Sequence, residues 1–251
     1  DNGELIIRDE NLLPFPRTKD AIKGEIASYY AMISEVDANI GRILSALEES
    51  GKADNTIVIL AGDNGLAVGQ HGLIGKQNLY DHSVRVPLIF KGPGIQKGVR
   101  TSSLVYLNDL YPTITELVGI ENPKKLDGTS LIPILNDTKK TVRKSVFYLY
   151  KNFQRGVRTK DWKLINYLVE GKKTTQLFKI EEDPLEMNNL AYKAEYKDKV
   201  AEMNALLQQW IEKSGDKVKL DQPDWGVPVI KSWKTSRIEK GRDIHFKGNH
   251  E

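Results

Sequence analysis

Cysteine is absent from the 251 residues. Disulfides, zinc–thiolate sites, iron–sulfur clusters and a thiol nucleophile are therefore excluded. No apolar run approaches the roughly 18–20 residues that a membrane-crossing helix needs. Neither sign of charge dominates: 37 Lys and Arg against 34 Asp and Glu leave +3. That balance gives no reason to expect nucleic acid or an anionic membrane as partner. The nucleophile elbow Gly-x-Ser-x-Gly is missing too. At Gly75-Lys76 the phosphate-loop pattern fails, because Gln70 stands where a glycine is required and Gln77 where Ser or Thr is. The first residue is Asp1, with no basic stretch and apolar stretch after it. Either a removed leader or membership of something longer is the expectation.

What remains is ordinary globular composition, 39% hydrophobic and 28% charged, which rules out collagen-like, low-complexity and wholly disordered classes. Ile26, Tyr30, Ile33, Val36, Ile40 and Leu47 recur at spacings of three and four, and Gly51 follows. A helix over about 24–50 is predicted. Thr56-Ile57-Val58-Ile59-Leu60-Ala61 is a continuous aliphatic run, suited to a strand buried on both faces of a parallel sheet. Val86-Pro87-Leu88-Ile89-Phe90 and Leu104-Val105-Tyr106-Leu107 are two further strand candidates, and residues 112–118 a short helix ended by Gly119. This alternation argues α/β.

The pattern changes near Ser145. Residues 146–150, 156–158, 162–165 and 176–180 predict short strands, with turns at Thr159-Lys160-Asp161 and Glu170-Gly171-Lys172. They predict a small antiparallel sheet. A helix over about 193–212 follows, with Val200, Met203, Leu206, Leu207 and Trp210 on one face. The tail carrying Pro223, Trp225, Pro228 and Trp233 is expected to lie over the surface. Charge is dense and apolar pattern lost over 137–144, so a boundary is expected there, dividing residues 1–140 from 141–251.

Chemistry concentrates where the first strand stops. Gly62-Asp63-Asn64-Gly65 offers a carboxylate and an amide carbonyl at a strand's carboxyl end, where ligands of α/β sheets bind. Hard oxygen donors suit Ca²⁺ or Mg²⁺ rather than zinc. The same four residues are also ordinary turn formers. Downstream, Gly69-Gln70-His71-Gly72-Leu73-Ile74-Gly75-Lys76 puts an imidazole and an ammonium on a glycine-rich loop. Read singly, both are compatible with plain loop residues. Arg85 is expected to pair with Asp81 or Asp63, and His82 to be a ligand or, more simply, a surface residue. His245 and His250 receive no role.

Taken in order, these segments resemble the sulfatase family of the alkaline-phosphatase-like superfamily. The resemblance runs from Tyr29-Tyr30-Ala31-Met32-Ile33-Ser34-Glu35-Val36-Asp37 through Gly62-Asp63-Asn64-Gly65, Gly69-Gln70-His71-Gly72 and Gly75-Lys76 with Tyr80. It continues through Val84-Arg85-Val86-Pro87, Gly92-Pro93-Gly94, Asp109-Leu110-Tyr111-Pro112-Thr113 and Leu126-Asp127-Gly128-Thr129-Ser130, and closes with Leu177-Phe178-Lys179-Ile180-Glu181-Glu182-Asp183-Pro184-Leu185-Glu186-Met187-Asn188-Asn189-Leu190. Coverage is about 23–210.

The resemblance implies an alkaline-phosphatase-like sheet flanked by helices, present in part, followed by an antiparallel subdomain with a C-terminal helix. It implies hydrolysis of sulfate esters, of a carbohydrate above all. The family's nucleophile is a formylglycine made from Cys or Ser, and its cofactor Ca²⁺ or sometimes Mg²⁺. By matching position, Asp63 and Asn64 would be metal ligands. Lys76 would hold a sulfate oxygen and stabilise the transition state, and His71 would touch substrate. The family's Cys/Ser-x-Pro-x-Arg segment and first aspartate pair are absent here. The expectation is a C-terminal portion that needs an N-terminal sulfatase half as partner and is inert without it. A sulfated-glycan binding module and a phosphate or phosphonate ester hydrolase are the alternatives. Family habit implies a periplasmic or secreted location.

Overall fold

Thr18 starts the first helix by turning its hydroxyl back to accept the Ala21 N–H at 3.2 Å, which satisfies one of the donors a helix start leaves unpaired. In this computed structural model, residues 12–13, 16–169, 171–223 and 225 are described. Pro14, Pro228, Trp233, His245 and His250 lie outside them. Helix α1 spans Lys19–Glu49, five residues earlier than its periodicity indicated, and ends where Gly51 takes φ 69. Its apolar stripe is real, yet none of its residues is buried: Tyr30 is 64% exposed and Ile43 68%.

Strand β1 (Val58–Ala61) pairs with β2 (Leu88–Lys91) in antiparallel register, Val58 opposite Lys91 and Ala61 opposite Leu88. The expectation of a parallel strand covered on both faces is therefore corrected. Leu60 and Ile89 face outward because no described element covers that side of the pair. The third expected strand, at 104–107, is also not one. The Tyr106 N–H is taken by Asp109 Oδ2 at 2.7 Å, which caps a single 3₁₀ turn instead of joining a ladder. Helices α2 (Asp81–Val84), α3 (Leu110–Leu117) and α4 (Ile132–Asn136) complete this half. The first and the last were not anticipated, each being about one turn long. Asp109 is fully buried and holds Arg143 through both carboxylate oxygens at 2.5 and 2.6 Å, pinning the connection at 143 to the start of α3.

The antiparallel sheet is present as expected: β3 (Ser145–Tyr150), β4 (Gln154–Thr159), β5 (Trp162–Val169) and β6 (Lys172–Lys179), in sequential order. The turn at Thr159 forms as its residues predicted, Thr159 Oγ1 accepting the Trp162 N–H at 3.0 Å. Strand β6 starts earlier than its apolar residues suggested, since Lys172-Lys173-Thr174 complete the ladder opposite Val169-Leu168-Tyr167. The sheet has two covered faces. On one, Val157, Leu164 and Leu177 pack against Met203, Leu207 and Ile211 of helix α5 (Lys197–Ser214). On the other, Ile165, Tyr167, Phe178 and Ile180 pack against Ala67, Leu73, Leu79 and Tyr80 of the glycine-rich loop. Burial on both sides explains why β5 shows no polar alternation. The start of the tail also turns inward. Trp225 is buried with Leu168 and Val218, its ring 5.9 Å from the Arg155 guanidinium carbon, rather than lying over the surface.

Candidate functional site

Asp63 and Asn64 stand exposed at the end of β1, between two backbone anchors. The Gly62 N–H donates to the Pro87 carbonyl at 3.2 Å, and the Gly65 N–H to the Ser83 carbonyl at 2.9 Å. A side chain at Gly65 would place its Cβ 1.9 Å from the His82 carbonyl oxygen, so only glycine allows this approach. Between the anchors, Asn64 donates its backbone N–H to Asp63 Oδ1 at 2.9 Å and its amide nitrogen to Oδ2 at 3.2 Å. The amide oxygen is thereby turned away from the carboxylate.

The loop that follows is closed on itself by Ala67 N–H to the Gly75 carbonyl (3.1 Å) and Gly69 N–H to the Leu73 carbonyl (2.8 Å). Helix α1 and the residue just before its cap reach it from one side: Arg17 donates to the Gly72 carbonyl, and a Cβ at Gly69 would lie 2.7 Å from Ile22 Cγ2. The sheet grips it from the other. Gln154 donates to the Gln77 carbonyl at 3.2 Å and Tyr80 to Gln176 Oε1 at 2.9 Å. At the loop's crest His71 adopts φ 55, a left-handed conformation that side chains avoid. Its ring stacks on Tyr80 at 3.8 Å and 6°, and Nε2 lies 3.1 Å from the Leu185 carbonyl oxygen. Burial holds the imidazole below its ordinary pKa, against the Leu185 carbonyl and the Asp183 charge, which raise it. Lys76 is exposed. Among the described residues no hydrogen bond or ion pair joins it to Asp63 or Asn64.

Behind the loop is a charged group whose arrangement the sequence did not disclose. Lys163, fully buried on β5, lies 2.9 Å from Asp81 Oδ1 and 2.7 Å from Glu186 Oε1. Arg158 on β4 donates to both oxygens of Asp81 at 2.5 and 2.6 Å. Burial by itself would raise the Asp81 carboxyl, but the Lys163 and Arg158 charges outweigh it and hold it low. For Glu186 burial wins over Lys163 and the carboxyl is raised. Asp81 is thus spoken for by the sheet, and the expected pairing of Arg85 with Asp81 or Asp63 is corrected: Arg85 is exposed, and among the described residues no ion pair joins it to either. His82 is not a surface residue either. Its ring lies 5.7 Å from His71 and 5.6 Å from Tyr80, Nε2 is buried with no hydrogen-bond partner among the described residues, and burial pushes its pKa down to about 4. The one legible hint was a lysine set inside the apolar run 162–165, which cannot be buried without acid partners.

Asp63 and Asn64 supply hard oxygen donors that fit Ca²⁺ or Mg²⁺. Two donors are a fraction of the roughly six to eight that Ca²⁺ takes. Among the described residues no group of three or more His, Asp or Glu is placed to complete such a site.

Family models match along nearly the whole of the described chain. Residues 69–213 match "N-sulphoglucosamine sulphohydrolase, C-terminal", and residues 9–120 match "Sulfatase". The chain is 37% identical over 193 residues to N-acetylglucosamine-6-O-sulfatase of Bacteroides thetaiotaomicron, a match covering 72% of this chain and 34% of that protein. It is similar to the structure of BT4656 in complex with its substrate D-glucosamine-2-N,6-O-disulfate, with TM-score 0.71, 34% identity and coverage of 77% of this chain and 42% of that one. It is also similar to phosphonate monoester hydrolase of Agrobacterium radiobacter, with TM-score 0.67, 26% identity and coverage of 78% and 43%. The chain spans about a third of the length of the curated relatives it matches. With the site loop and the sheet that grips it both inside the matched segments, the chain belongs to the sulfatase family, and corresponds to the C-terminal portion of its members.

Proposed function

We propose that this chain forms the C-terminal part of a carbohydrate sulfatase, contributing metal ligands and sulfate contacts to a site whose nucleophile another segment supplies. The observation that carries the reading is the pair Asp63–Asn64, exposed at the mouth of β1 beside a loop that presents Lys76 and His71 within the sulfatase match. Asp63 and Asn64 would hold Ca²⁺ or Mg²⁺ through carboxylate and amide oxygens, and that ion would neutralise the sulfate oxygens. Formylglycine would supply the attacking hydroxyl, and no residue of this chain can become it, since cysteine and the Ser-x-Pro-x-Arg pattern are both absent.

The chain's own groups have definable tasks. The Lys76 ammonium donates to a sulfate oxygen, and its fixed positive charge is worth most as negative charge shifts toward that oxygen and the leaving oxygen. Asp63 keeps one face toward the cation and can accept a hydrogen bond from the nucleophile's hydroxyl. His71, neutral at pH 7 because burial depresses its pKa, meets the alcohol part of the substrate as a hydrogen-bonding group rather than as a cation. The glucosamine disulfate bound by the similar BT4656 supports a sulfated amino sugar as the substrate class. A periplasmic or secreted location fits that diet. No helix among the described residues is long and apolar enough to cross a membrane.

In the enzyme completed with the nucleophile-bearing half, Lys76→Ala lowers kcat for a sulfate monoester by roughly 10²–10³, the scale on which removal of one charge-stabilising donor acts. An unchanged kcat refutes the role. The similarity to a phosphonate monoester hydrolase favours a second reading, hydrolysis of phosphate or phosphonate esters. Relative kcat/KM for sulfate and phosphonate monoesters on the same preparation separates the two. Binding of the sulfated sugar with no turnover of either would favour a glycan-binding module.

A further inference from the structure

Two non-glycine residues with left-handed backbone meet across the junction between the site loop and the sheet: His71 at φ 55 and Glu186 at φ 57. They are 115 positions apart in the chain, and His71 Nε2 lies 3.1 Å from the carbonyl oxygen of Leu185, next to Glu186. Side chains avoid this conformation unless their surroundings impose it. What imposes it on Glu186 is its carboxylate. The side chain is 2% exposed, with Oε1 2.7 Å from Lys163 Nζ and Oε2 accepting the Asp81 N–H at 2.6 Å. Asp183 closes the same turn by accepting the Met187 and Asn188 N–H groups at 3.0 and 2.7 Å, while the Glu186 N–H donates to the Asp183 carbonyl at 3.0 Å. The flanking side chains hold nothing down, since Leu185 and Met187 are both exposed.

We propose that Glu186, anchored on Lys163 and the Asp81 N–H, is a positioning residue that aims the Leu185 carbonyl at His71 and so fixes the orientation and tautomer of the site imidazole. A carbonyl oxygen only accepts, so the nitrogen facing it carries the proton. His71 is held as the Nε2–H tautomer, with Nδ1 left as the acceptor for a substrate hydroxyl or N–H. The Tyr80 ring, stacked at 3.8 Å, stops the imidazole from tilting but cannot choose between its nitrogens. The choice comes from the Leu185 turn. The four-stranded sheet thus governs which hydrogen-bonding group the sulfatase site offers, an inference that rests on the proposed role of His71 in that site.

The test is long-range ¹H–¹⁵N correlation NMR of the 251-residue chain at pH 8, where a neutral imidazole reports its tautomer. In the parent chain His71 Nε2 is expected at the protonated shift and Nδ1 at the lone-pair shift. Glu186→Gly relaxes the left-handed backbone but deletes the anchor, and both signals are expected to move toward their average. Glu186→Gln keeps an acceptor for the Asp81 N–H and is expected to restore the parent pattern. If Glu186→Gly does not fold, Glu186→Asp carries the same expectation, being too short to span both anchors. A parent chain with the proton on Nδ1, or an anchor-deleted variant with the parent pattern, overturns the proposal. This readout does not depend on turnover, so failure of the completed enzyme to cleave sulfate esters would count against the proposed function and not against the positioning of His71 by Glu186.

Discussion

His82 illustrates how environment rewrites a residue that sequence leaves ambiguous. Buried beside His71, with the Lys163 charge near and no partner for Nε2 among the described residues, it has a folded-state pKa of about 4 against an ordinary 6.5. Above pH 6.5 the ring is neutral folded or unfolded, and its contribution to stability is complete. Below that the unfolded chain takes up a proton that the folded chain refuses until about pH 4, so stability falls across this window by on the order of 3 kcal/mol. His71, also depressed, acts in the same direction, whereas Glu186, raised, acts in the opposite one. Urea denaturation at pH 7.5 and 4.5 is therefore expected to show a smaller acid loss for His82→Gln than for the parent, and equal losses would refute the assignment. From the sequence His82 is a surface residue or a ligand, and Arg85 the partner of Asp81 or Asp63. The reading of Arg85 uses acids near it in the chain. The partners Asp81 takes, Arg158 and Lys163, are 77 and 82 positions away.

At the scale of elements, periodicity identified helices and said nothing of what they bury. Helices α1 and α5 both carry an apolar stripe at spacings of three and four. On α5 that stripe is sealed against β4, β5 and β6, with Met203 and Leu207 fully buried. On α1 it faces outward, Ile33 at 47% exposure. Leu207→Ala is thus expected to cost about 2–5 kcal/mol, and Ile33→Ala to change stability by less than about 0.5 kcal/mol. Denaturant midpoints on the same chain check both, and a large effect at Ile33 would mean that the stripe is covered. Strands β3 to β6 were legible because each is short, β-branched or aromatic, and bounded by turn residues. The run 56–61 differs from its expectation because a continuous apolar stretch indicates that a strand should be covered, but not by what, nor in which direction its neighbour runs.

Across the whole molecule, the four-stranded sheet is the middle layer, with α5 on one face and the site loop on the other. The loop's backbone is committed to that sheet, to α1 and to α2, which leaves Asp63, Asn64 and Lys76 as exposed polar groups on a fixed support. Support is not completeness. If the proposed division of the site holds, with Asp63 and Asn64 as the chain's two metal ligands and the nucleophile supplied from elsewhere, the chain alone is expected to release no product from an aryl sulfate and to bind Ca²⁺ more weakly than about 10⁻³ M, the weak end of protein sites. Product release assayed by absorbance and Ca²⁺ binding by calorimetry test this, and turnover by the isolated chain would overturn the proposed division of the site.

Composition and local order alone determined the donors at the β1 mouth, the cation on the glycine-rich loop, the exclusion of thiol chemistry, the antiparallel strands and the closing helix, because these depend on residue type and on spacings of two to four. Only the tertiary structure decided that Lys163 would be buried, that Asp81 and Glu186 would share it, and that the Leu185 carbonyl would meet His71. A buried charge is tolerated only where opposite charges and hydrogen bonds converge on it in space. Those contacts join residues 23 to 114 positions apart, a distance over which no local pattern specifies who meets whom.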